Sequence, residues 1–351
     1  MKYSIIVPVF NRPDEVDELL ESLSNQTQKD FEVIIVEDGS VKTCKDVCDK
    51  YADILALHYY AKENSGPGQS RNYGAERANG EWLLILDSDV VLPTGYLEAI
   101  DHSLTSDIVA FGGPDAAHPS FTPVQKAISY SMTSFFTTGG IRGSSPQSGG
   151  TRGALDKFYP RSFNMGIRRD VYLQLGGFSK MRFGEDIDFS YRIVEAGHSP
   201  RLFPEAWVWH KRRTDFKKFF RQVYNSGIAR INLEKRHPGT MKLVHLLPTV
   251  FTVGVIALIL ISAVGRALMH YVDRDQFYWM CFAPWIPILL YSLLICIDST
   301  IKNKSLKVGL LSVPAAFVQL MGYGLGFIES WWKRCVLRQD EFQAFEKTFY
   351  K

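Results

Sequence analysis

The sequence predicts an α/β domain built on a mostly parallel sheet, followed by apolar helices long enough to cross a membrane. Short apolar runs alternate with helical patterns from residue 1 to about residue 110, which is typical of a parallel sheet covered by helices. Acidic residues directly follow two of these apolar runs. Three stretches near the carboxyl end contain no Asp, Glu, Lys or Arg, namely Leu243–Val264, Phe277–Ile297 and Val308–Ile328.

The predicted sheet comes from the first part of the chain. Strands are expected at Ser4–Val9, Phe31–Val36, Ile54–Tyr60, Trp82–Leu86, Ile108–Phe111 and Ala206–His210. Helices are expected from Pro13, a residue suited to a first helical turn, and over Gln69–Ala78, Thr94–Leu104 and Asp186–Ala196. Residues 115 to about 160 are rich in Gly, Ser, Thr and Pro, so they predict a long loop.

Composition excludes some classes of protein. The net charge is +3 over 351 residues, and no basic stripe with stacking aromatic residues occurs in the first two hundred, so we expect no nucleic-acid partner. The five cysteines are an odd number without paired spacing, which argues against a disulfide framework. No signal-peptide pattern follows Met1, because the apolar run ends at Pro8. We therefore expect the first domain to stay in the cytosol.

The carboxyl half of the chain has the character of a membrane region. Residues 216–242 are basic and carry apolar residues at helical spacing, which favours a helix lying on an anionic bilayer surface. Each apolar stretch has the length that a membrane helix needs. The third is interrupted by Pro314 and several glycines, so it is expected to cross, to be re-entrant or to lie at the membrane interface. The distribution of Lys and Arg predicts in, out, in for the first two spans.

The strongest chemical signal is Asp87-Ser88-Asp89, which follows the predicted strand Trp82–Leu86. Residues two apart in an extended segment face the same way. The two carboxylates can therefore bind one hard cation, and Mg²⁺ typically takes one or two carboxylates together with substrate phosphates. A simple acidic loop is the alternative interpretation.

Other polar clusters follow at the same predicted sheet edge or at helix starts. Asp38 ends a strand and could accept a hydrogen bond from a base, although Asp-Gly is also an ordinary turn pair. Arg71 lies in the first turn of a helix after a glycine-containing loop, where anions bind well. Glu185 and Asp186 open a helix, which capping alone can explain. Asp186 is our candidate general base, and His210 is a candidate ligand for manganese.

In this order, the clusters resemble an inverting family 2 glycosyltransferase of the GT-A fold. The resemblance rests on Ser4-Ile5-Ile6-Val7-Pro8-Val9-Phe10-Asn11, Val36-Glu37-Asp38-Gly39-Ser40, Gly66–Asn72, Asp87-Ser88-Asp89 and Gly184-Glu185-Asp186. It covers roughly residues 1–215. One departure is that Gln222-Val223-Tyr224-Asn225-Ser226 lacks the Gln-x-x-Arg-Trp signature of the processive synthases, so we expect one sugar per encounter.

The resemblance implies a role for each matched residue. Nucleotide-sugar binding is expected of Pro8, Phe10, Asn11, Asp38, Arg71, Asp87 and Ser88. Asp89 and His210 are expected to hold a divalent metal, Mn²⁺ or Mg²⁺. Asp186, with Glu185 beside it, is expected to remove the acceptor proton. The implied reaction moves a sugar from a nucleotide-diphosphate sugar, most often a UDP-sugar, to a hydroxyl of a saccharide or lipid-linked acceptor.

The same resemblance implies a bacterial, multi-pass protein of the inner (cytoplasmic) membrane that serves cell-surface polysaccharide or glycolipid synthesis. The expected division is a GT-A domain at 1–215, a juxtamembrane helix at 216–242, a membrane region at 243–330 and a polar tail at 331–351. We expect residues 139–153 to close over donor or acceptor. The rival hypotheses are a polyprenyl-phosphate glycosyltransferase, a catalytically silent nucleotide-sugar-binding scaffold and a nucleotidyltransferase.

Overall fold

The structure, a computed structural model, describes residues 1–118, 120–139, 158–181, 183–211, 213–267, 279, 281–342 and 344. Most of the 139–153 loop therefore lies outside the described residues. The chain forms two compact units. The first contains Met1–Pro119 and Ser144–Lys211 with Tyr350–Lys351, and the second contains Ser120–Gly143 and Arg212–Phe349.

A seven-stranded, mostly parallel sheet forms the first unit, as predicted. Its strands are β1 Tyr3–Val9, β2 Phe31–Asp38, β3 Leu57–Lys62, β4 Trp82–Leu86, β6 Ala110–Gly112, β8 Asn164–Arg168 and β9 Arg201–Leu202. They are ordered β3-β2-β1-β4-β8-β6-β9. The ladders among β1–β4 and between β6 and β9 are parallel, whereas β8 is antiparallel to β4 and β6. The carboxyl ends of β1, β2 and β4 thus lie at one edge.

Helices cover both faces of this sheet. They are α1 Pro13–Ser24, α2 Lys45–Tyr51, α3 Pro67–Glu76, α4 Tyr96–Ser103, α7 Arg169–Gln174 and α8 Glu185–Glu195. Alternation along β1 sends Ile5 into a core with Leu19 and Leu97, and Ile6 into a second core with Ala75 and Phe189. The sheet is therefore buried on both faces, which explains its nearly continuous apolar strands.

A small second sheet supports the same edge. It contains β5 Val90–Val91, β7 Asp115–Ala116 and β10 Val208–His210, in the order β5-β10-β7. His210 pairs with Val90 in the antiparallel ladder of β10 and β5. Because Val90 follows Asp89 directly, this ladder fixes the end of β10 beside the Asp87–Asp89 segment.

The second unit is helical. Its helices are α5 Pro123–Thr133, α6 Phe135–Thr138, α9 Phe216–Arg236, α10 Leu247–Ala267, α11 Ile286–Asn303 and α12 Leu306–Trp331. The predicted loop at 115–160 is thus wrong over α5 and α6. The missed signal is local: Thr122 and Gln125 form a capping box around Pro123 at the first helical turn.

Close packing explains the glycines that made the third apolar stretch look interrupted. A Cβ at Gly326 would meet the Tyr224 backbone of α9, and one at Gly322 would meet Val223. One at Gly324 would instead meet Pro248 and Thr252 of α10. Residues four apart share a helix face, whereas residues two apart lie on opposite faces. These glycines therefore let α12 approach a neighbouring helix on each side, and α12 continues through Pro314 without ending.

Within the part of the chain that the structure describes, three helical segments are long and apolar enough to cross a membrane: Leu243–Arg266, Ala283–Asn303 and Leu306–Val336. They match the three predicted stretches. The third differs from the others, because 44% of its most apolar window is buried within the protein, compared with 11% for each of the first two.

Candidate active site

Asp87, Asp89 and His210 form the centre of the candidate site. Asp87 and Asp89 follow β4, and His210 ends β10. One donor atom from each of the three residues lies within 4.8 Å of the others. His210 Nε2 lies 3.2 Å from Asp89 Oδ1, and the imidazole stacks on Phe163 with ring centroids 4.9 Å apart. The predicted metal residues Asp89 and His210 are thus brought together, although 121 positions separate them in the chain.

Two arginines hold these carboxylates in place. Arg12 Nη1 donates to Asp89 Oδ2 at 2.6 Å, and Arg71 Nη2 donates to Asp87 Oδ1 at 2.7 Å. Arg12 follows the carboxyl end of β1, and Arg71 lies in α3. Both bonds are charge-assisted, so they fix the orientation of each carboxylate more firmly than neutral bonds do.

Arg71 joins the two halves of the site. Its side chain is 3% exposed, lies over the Phe178 ring, and donates from Nη1 to Glu185 Oε1 at 3.1 Å. Burial raises the pKa of Glu185 to about 7; the Arg71 charge opposes this rise, and neighbouring Asp186 adds to it. A buried carboxylate with a pKa near neutrality is a frequent feature of functional sites.

Asp186 has a different environment from Glu185, although both open α8. Its Oδ2 lies 2.9 Å from Nε of Arg161, and its Oδ1 accepts from the Ile187 backbone amide at 2.9 Å. The side chain of Asp186 is 16% exposed and that of Glu185 is 10% exposed. The more accessible carboxylate is therefore Asp186.

Asp38 organises the loop that precedes α3. Its Oδ1 accepts from Lys62 Nζ at 2.7 Å and from the Ser65 amide at 2.9 Å, while its Oδ2 accepts from the Gly66 amide at 2.9 Å. The Asp38 side chain is 5% exposed. The carboxylate thus fixes the loop that leads to Arg71, in addition to lying at the predicted sheet edge.

The remaining predicted residues lie at the same edge with different exposures. Pro8 and Phe10 are half-buried at the end of β1, and Ser88 is 5% exposed between the two aspartates. Asn11 has a φ of 55° and accepts at Oδ1 from the Val41 and Lys42 amides. Asn tolerates this left-handed conformation better than most residues. Through its two hydrogen bonds, Asn11 connects the end of β1 to the segment that follows β2.

Sequence reasoning missed four residues that contact this site: Arg12, Lys62, Arg161 and Phe163. Arg12 and Lys62 follow or end strands at the same edge as Asp38 and Asp87, and the rule that located the acidic residues also covers them. Arg161 and Phe163 lie between the predicted loop at 115–160 and the first residue of β8. No local signal in the sequence distinguishes these two.

The donor set fits a divalent cation. Two carboxylates and one imidazole converge on a common point, and oxygen ligands with one nitrogen suit Mg²⁺ or Mn²⁺. His210 Nδ1 lies 4.0 Å from Asp115 Oδ2 on the adjacent strand β7. An acidic neighbour of this kind commonly orients a metal-binding imidazole.

The mostly parallel sheet with helices on both faces has a fold of the GT-A type. A mannosyltransferase from Pyrobaculum calidifontis, solved in complex with GDP-Man and Mn²⁺, has a similar fold, with a TM-score of 0.56 and 14% identity over 95% of this chain and 88% of that one. Residues 4–170 match the family described as Glycosyl transferase family 2. This match covers slightly less than half of the chain, and the matched part resembles the family 2 glycosyltransferases.

Relatives in sequence are also named as glycosyltransferases. The pre-mycofactocin glycosyltransferase of Mycobacterium tuberculosis is 26% identical over 286 residues, 76% of this chain and 53% of that protein. An uncharacterized glycosyltransferase of Haemophilus influenzae is 31% identical over 199 residues, 55% of this chain and 62% of that protein. The chain therefore spans less than two thirds of the length of these relatives.

Proposed function

We propose that this protein transfers a sugar from a nucleotide-diphosphate sugar to a hydroxyl group of a saccharide or lipid-linked acceptor, with inversion at the anomeric carbon. The observation that carries the proposal is the convergence of Asp87, Asp89 and His210 beside Arg71, which bonds Asp87 and Glu185 together. The cluster of Asp87, Asp89 and His210 suits the binding of a diphosphate through a cation. The carboxylates that open α8 suit the role of proton acceptor.

Donor binding uses the sheet edge. Pro8, Phe10, Asn11 and Asp38 hold the nucleobase side, with a UDP-sugar as the favoured donor class. Asp87 and Ser88 lie nearest the ribose and diphosphate, with Arg71 supplying positive charge. A divalent cation held by Asp87, Asp89 and His210, Mn²⁺ or Mg²⁺, would offset the charge of the departing diphosphate. The mannosyltransferase of similar fold was solved with GDP-Man and Mn²⁺, which supports a nucleotide-diphosphate sugar as the general donor class.

Asp186 is the proposed general base. It removes the proton from the acceptor hydroxyl, the hydroxyl oxygen attacks the anomeric carbon, and the bond from that carbon to the diphosphate breaks. Exposure supports Asp186 over Glu185, because a base must reach the acceptor. Glu185 acts through Arg71, since their hydrogen bond orients the guanidinium toward Asp87. One displacement of this kind inverts the configuration, whereas a retaining route needs a second carboxylate near the sugar.

Location and mode of action complete the proposal. The apolar helices of residues 243–330 hold the protein in the inner membrane, and the basic helix around 216–242 keeps the catalytic domain on the cytoplasmic side. The sequence Gln222-Val223-Tyr224-Asn225-Ser226 lacks the processive signature, so one sugar is added per encounter. Cell-surface polysaccharide or glycolipid synthesis is the proposed pathway class.

The test is turnover of a donor panel by the purified full chain in detergent. UDP-, GDP- and dTDP-sugars are supplied with Mn²⁺, and nucleoside diphosphate release is measured with and without a chelator. We expect one donor to be consumed, chelator to abolish release, and Asp89→Ala to remove both activity and Mn²⁺ binding. Removing the base in Asp186→Asn should reduce turnover by roughly 10²- to 10⁴-fold while Mn²⁺ binding remains.

Asp170→Asn is the matched control, because Asp170 is an exposed carboxylate paired with Arg168 outside the site. Its activity should equal that of the wild type. Full turnover in chelator would disprove metal dependence. A donor that binds with Mn²⁺ but is never consumed with any hydroxyl acceptor would favour the scaffold hypothesis, and turnover with a lipid monophosphate alone would favour the polyprenyl-phosphate hypothesis.

A further inference from the structure

Helices α10 and α11 form an antiparallel pair. The rings of Phe251 and Tyr291 lie 5.8 Å apart, and Nε1 of Trp285, directly before α11, donates to Ser262 Oγ at 2.9 Å. The residue nearer the amino end of α10, Phe251, contacts Tyr291, and the residue nearer its carboxyl end, Ser262, contacts Trp285, which comes earlier in the chain than Tyr291. The two helices therefore run in opposite directions. The amino end of α10 and the carboxyl end of α11 therefore lie at the same end of the pair, which we call the near end.

Helix α12 contacts the near end twice. A Cβ at Gly309 would meet Cys296 and Thr300, close to the carboxyl end of α11. A Cβ at Gly324 would meet Pro248, at the amino end of α10. The two glycines are separated by about 22 Å of helix at 1.5 Å per residue. A helix that crossed the bilayer beside the pair would contact the near end once and then continue toward the far end.

The middle of α12 contacts both helices of the pair. The Phe317 ring lies 5.5 Å from Phe251 of α10 and 6.5 Å from Tyr291 of α11. Contacts along α12 thus pass from Cys296 and Thr300 of α11, through Tyr291 in the amino half of that helix, to Pro248 at the amino end of α10. The first and the last of these contacts lie toward the near end. This is the geometry of a helix lying across the pair.

Helix α9 runs parallel to α12 over most of its length. Gly322 packs on Val223, Gly326 on the Tyr224 backbone, and Ser330 Oγ donates to the Ile228 carbonyl at 3.3 Å. A membrane-crossing α12 would therefore take α9 into the hydrocarbon core. Helix α9 carries Lys217, Lys218, Arg221, Arg230, Lys235 and Arg236, and such charges are costly at that depth.

We propose that α12 lies along the cytoplasmic surface of the bilayer, across the near end of the α10–α11 pair, and that α10 and α11 cross the membrane while α12 does not. The exposed cations of α9 then face anionic lipid headgroups. The carboxyl end of α12, with Lys333 and Arg334, stays on the same side as α9. This inference rests on the proposed membrane location, and it replaces an interpretation of Leu306–Val336 as a third span from its length and composition.

The test is thiol labelling of the full chain in bacterial spheroplasts with a membrane-impermeant maleimide, in a Cys281→Ser background. Native Cys335 is exposed just beyond α12 and reports its carboxyl end, with Cys335→Ser as the matched control. Arg266→Cys, placed in the Cys335→Ser variant, reports the far end of α10. We expect Arg266→Cys to be labelled in intact spheroplasts and Cys335 to be labelled only after permeabilisation.

Labelling of Cys335 in intact spheroplasts, at the level of Arg266→Cys, would overturn the proposal, because α12 would then cross. A lack of labelling at Arg266→Cys would also overturn it, because the α10–α11 pair would not cross. Recovery of the protein in the soluble fraction would instead contradict the membrane location itself, so the two failures are distinguishable.

Discussion

Arg71 Nη1 lies 3.1 Å from Glu185 Oε1, between residues 114 positions apart in the chain. The same guanidinium bonds Asp87 at 2.7 Å. One buried cation therefore connects the carboxylate pair that opens α8 with the acidic cluster after β4. We therefore expect a substitution at Arg71 to disturb both groups of carboxylates.

Arg71→Lys should reduce turnover by about 100-fold, because a single ammonium group cannot reproduce the two-pronged contact and small misplacements at a site cost that much. Binding of Mn²⁺ should weaken less, since His210 and Asp89 are unchanged. The measurement is nucleoside diphosphate release together with Mn²⁺ titration. Arg168→Lys, at an exposed arginine outside the site, is the control and should behave as the wild type; equal activity of both variants would contradict the bridging role.

Glu185→Gln should change how stability depends on pH. The folded-state pKa of Glu185 is raised from 4.5 to about 7, chiefly by burial, so the folded protein binds a proton more tightly than the unfolded chain. The corresponding stability is fully present below pH 4.5 and is lost as pH rises through about 7. At pH 8 the variant should be more stable than the wild type by about 3 kcal/mol, at 1.36 kcal/mol per pKa unit, and at pH 4.5 the two should be similar.

Thermal melting of both proteins in detergent between pH 4.5 and pH 8 measures this difference. Asp170→Asn removes an exposed carboxylate instead and should follow the wild type across the range. Parallel curves for the wild type and Glu185→Gln would show that Glu185 is ionised equally in the folded and unfolded states.

Asp38→Ala should destabilise the loop before α3. The substitution leaves the Ser65 and Gly66 amides without the Asp38 carboxylate and removes one of the acceptors of Lys62, and a buried amide without an acceptor, as at Gly66, costs about 1–3 kcal/mol. Donor affinity should fall as well, because the loop leads into the helix that carries Arg71. Melting temperature and donor KM are measured beside the exposed Asp53→Ala, and a variant indistinguishable from that control would show that Asp38 does not organise the loop.

Gly326→Ala should destabilise the helical unit, because the added Cβ meets the Tyr224 backbone of α9. Overpacking of this kind costs about 1–3 kcal/mol. Gly254→Ala in α10 is the matched control: its Cβ enters open space, and alanine favours a helix over glycine. Melting in detergent should separate the two variants in opposite directions from the wild type, and equal melting temperatures would contradict the close packing of α9 and α12.

The two helices α5 and α6 show where prediction from the sequence fails. The many Gly, Ser and Thr residues at 115–160 led to the prediction of a loop, despite a short helix-capping pattern at Thr122–Gln125. In the structure, α5 buries Ile128 and Met132 against Phe219. Helix formation there depends on this packing, since a helix of 11 residues is marginal alone. The third strand was also predicted about three residues early, because Leu57–Lys62 is an edge strand with a weak pattern.

The sequence by itself determined the mostly parallel sheet, the acidic residues at the carboxyl ends of β2 and β4, and the three apolar stretches. These features are local, because strand and helix periods and strand-end positions depend on neighbouring residues. Tertiary structure alone decided that Arg12 bonds Asp89, that Arg71 joins Asp87 to Glu185, and that α12 packs against both α10 and α11. Each of these contacts joins residues that are not neighbours in the chain. The packing of strands and helices decides which residues meet, and no local sequence pattern encodes that packing.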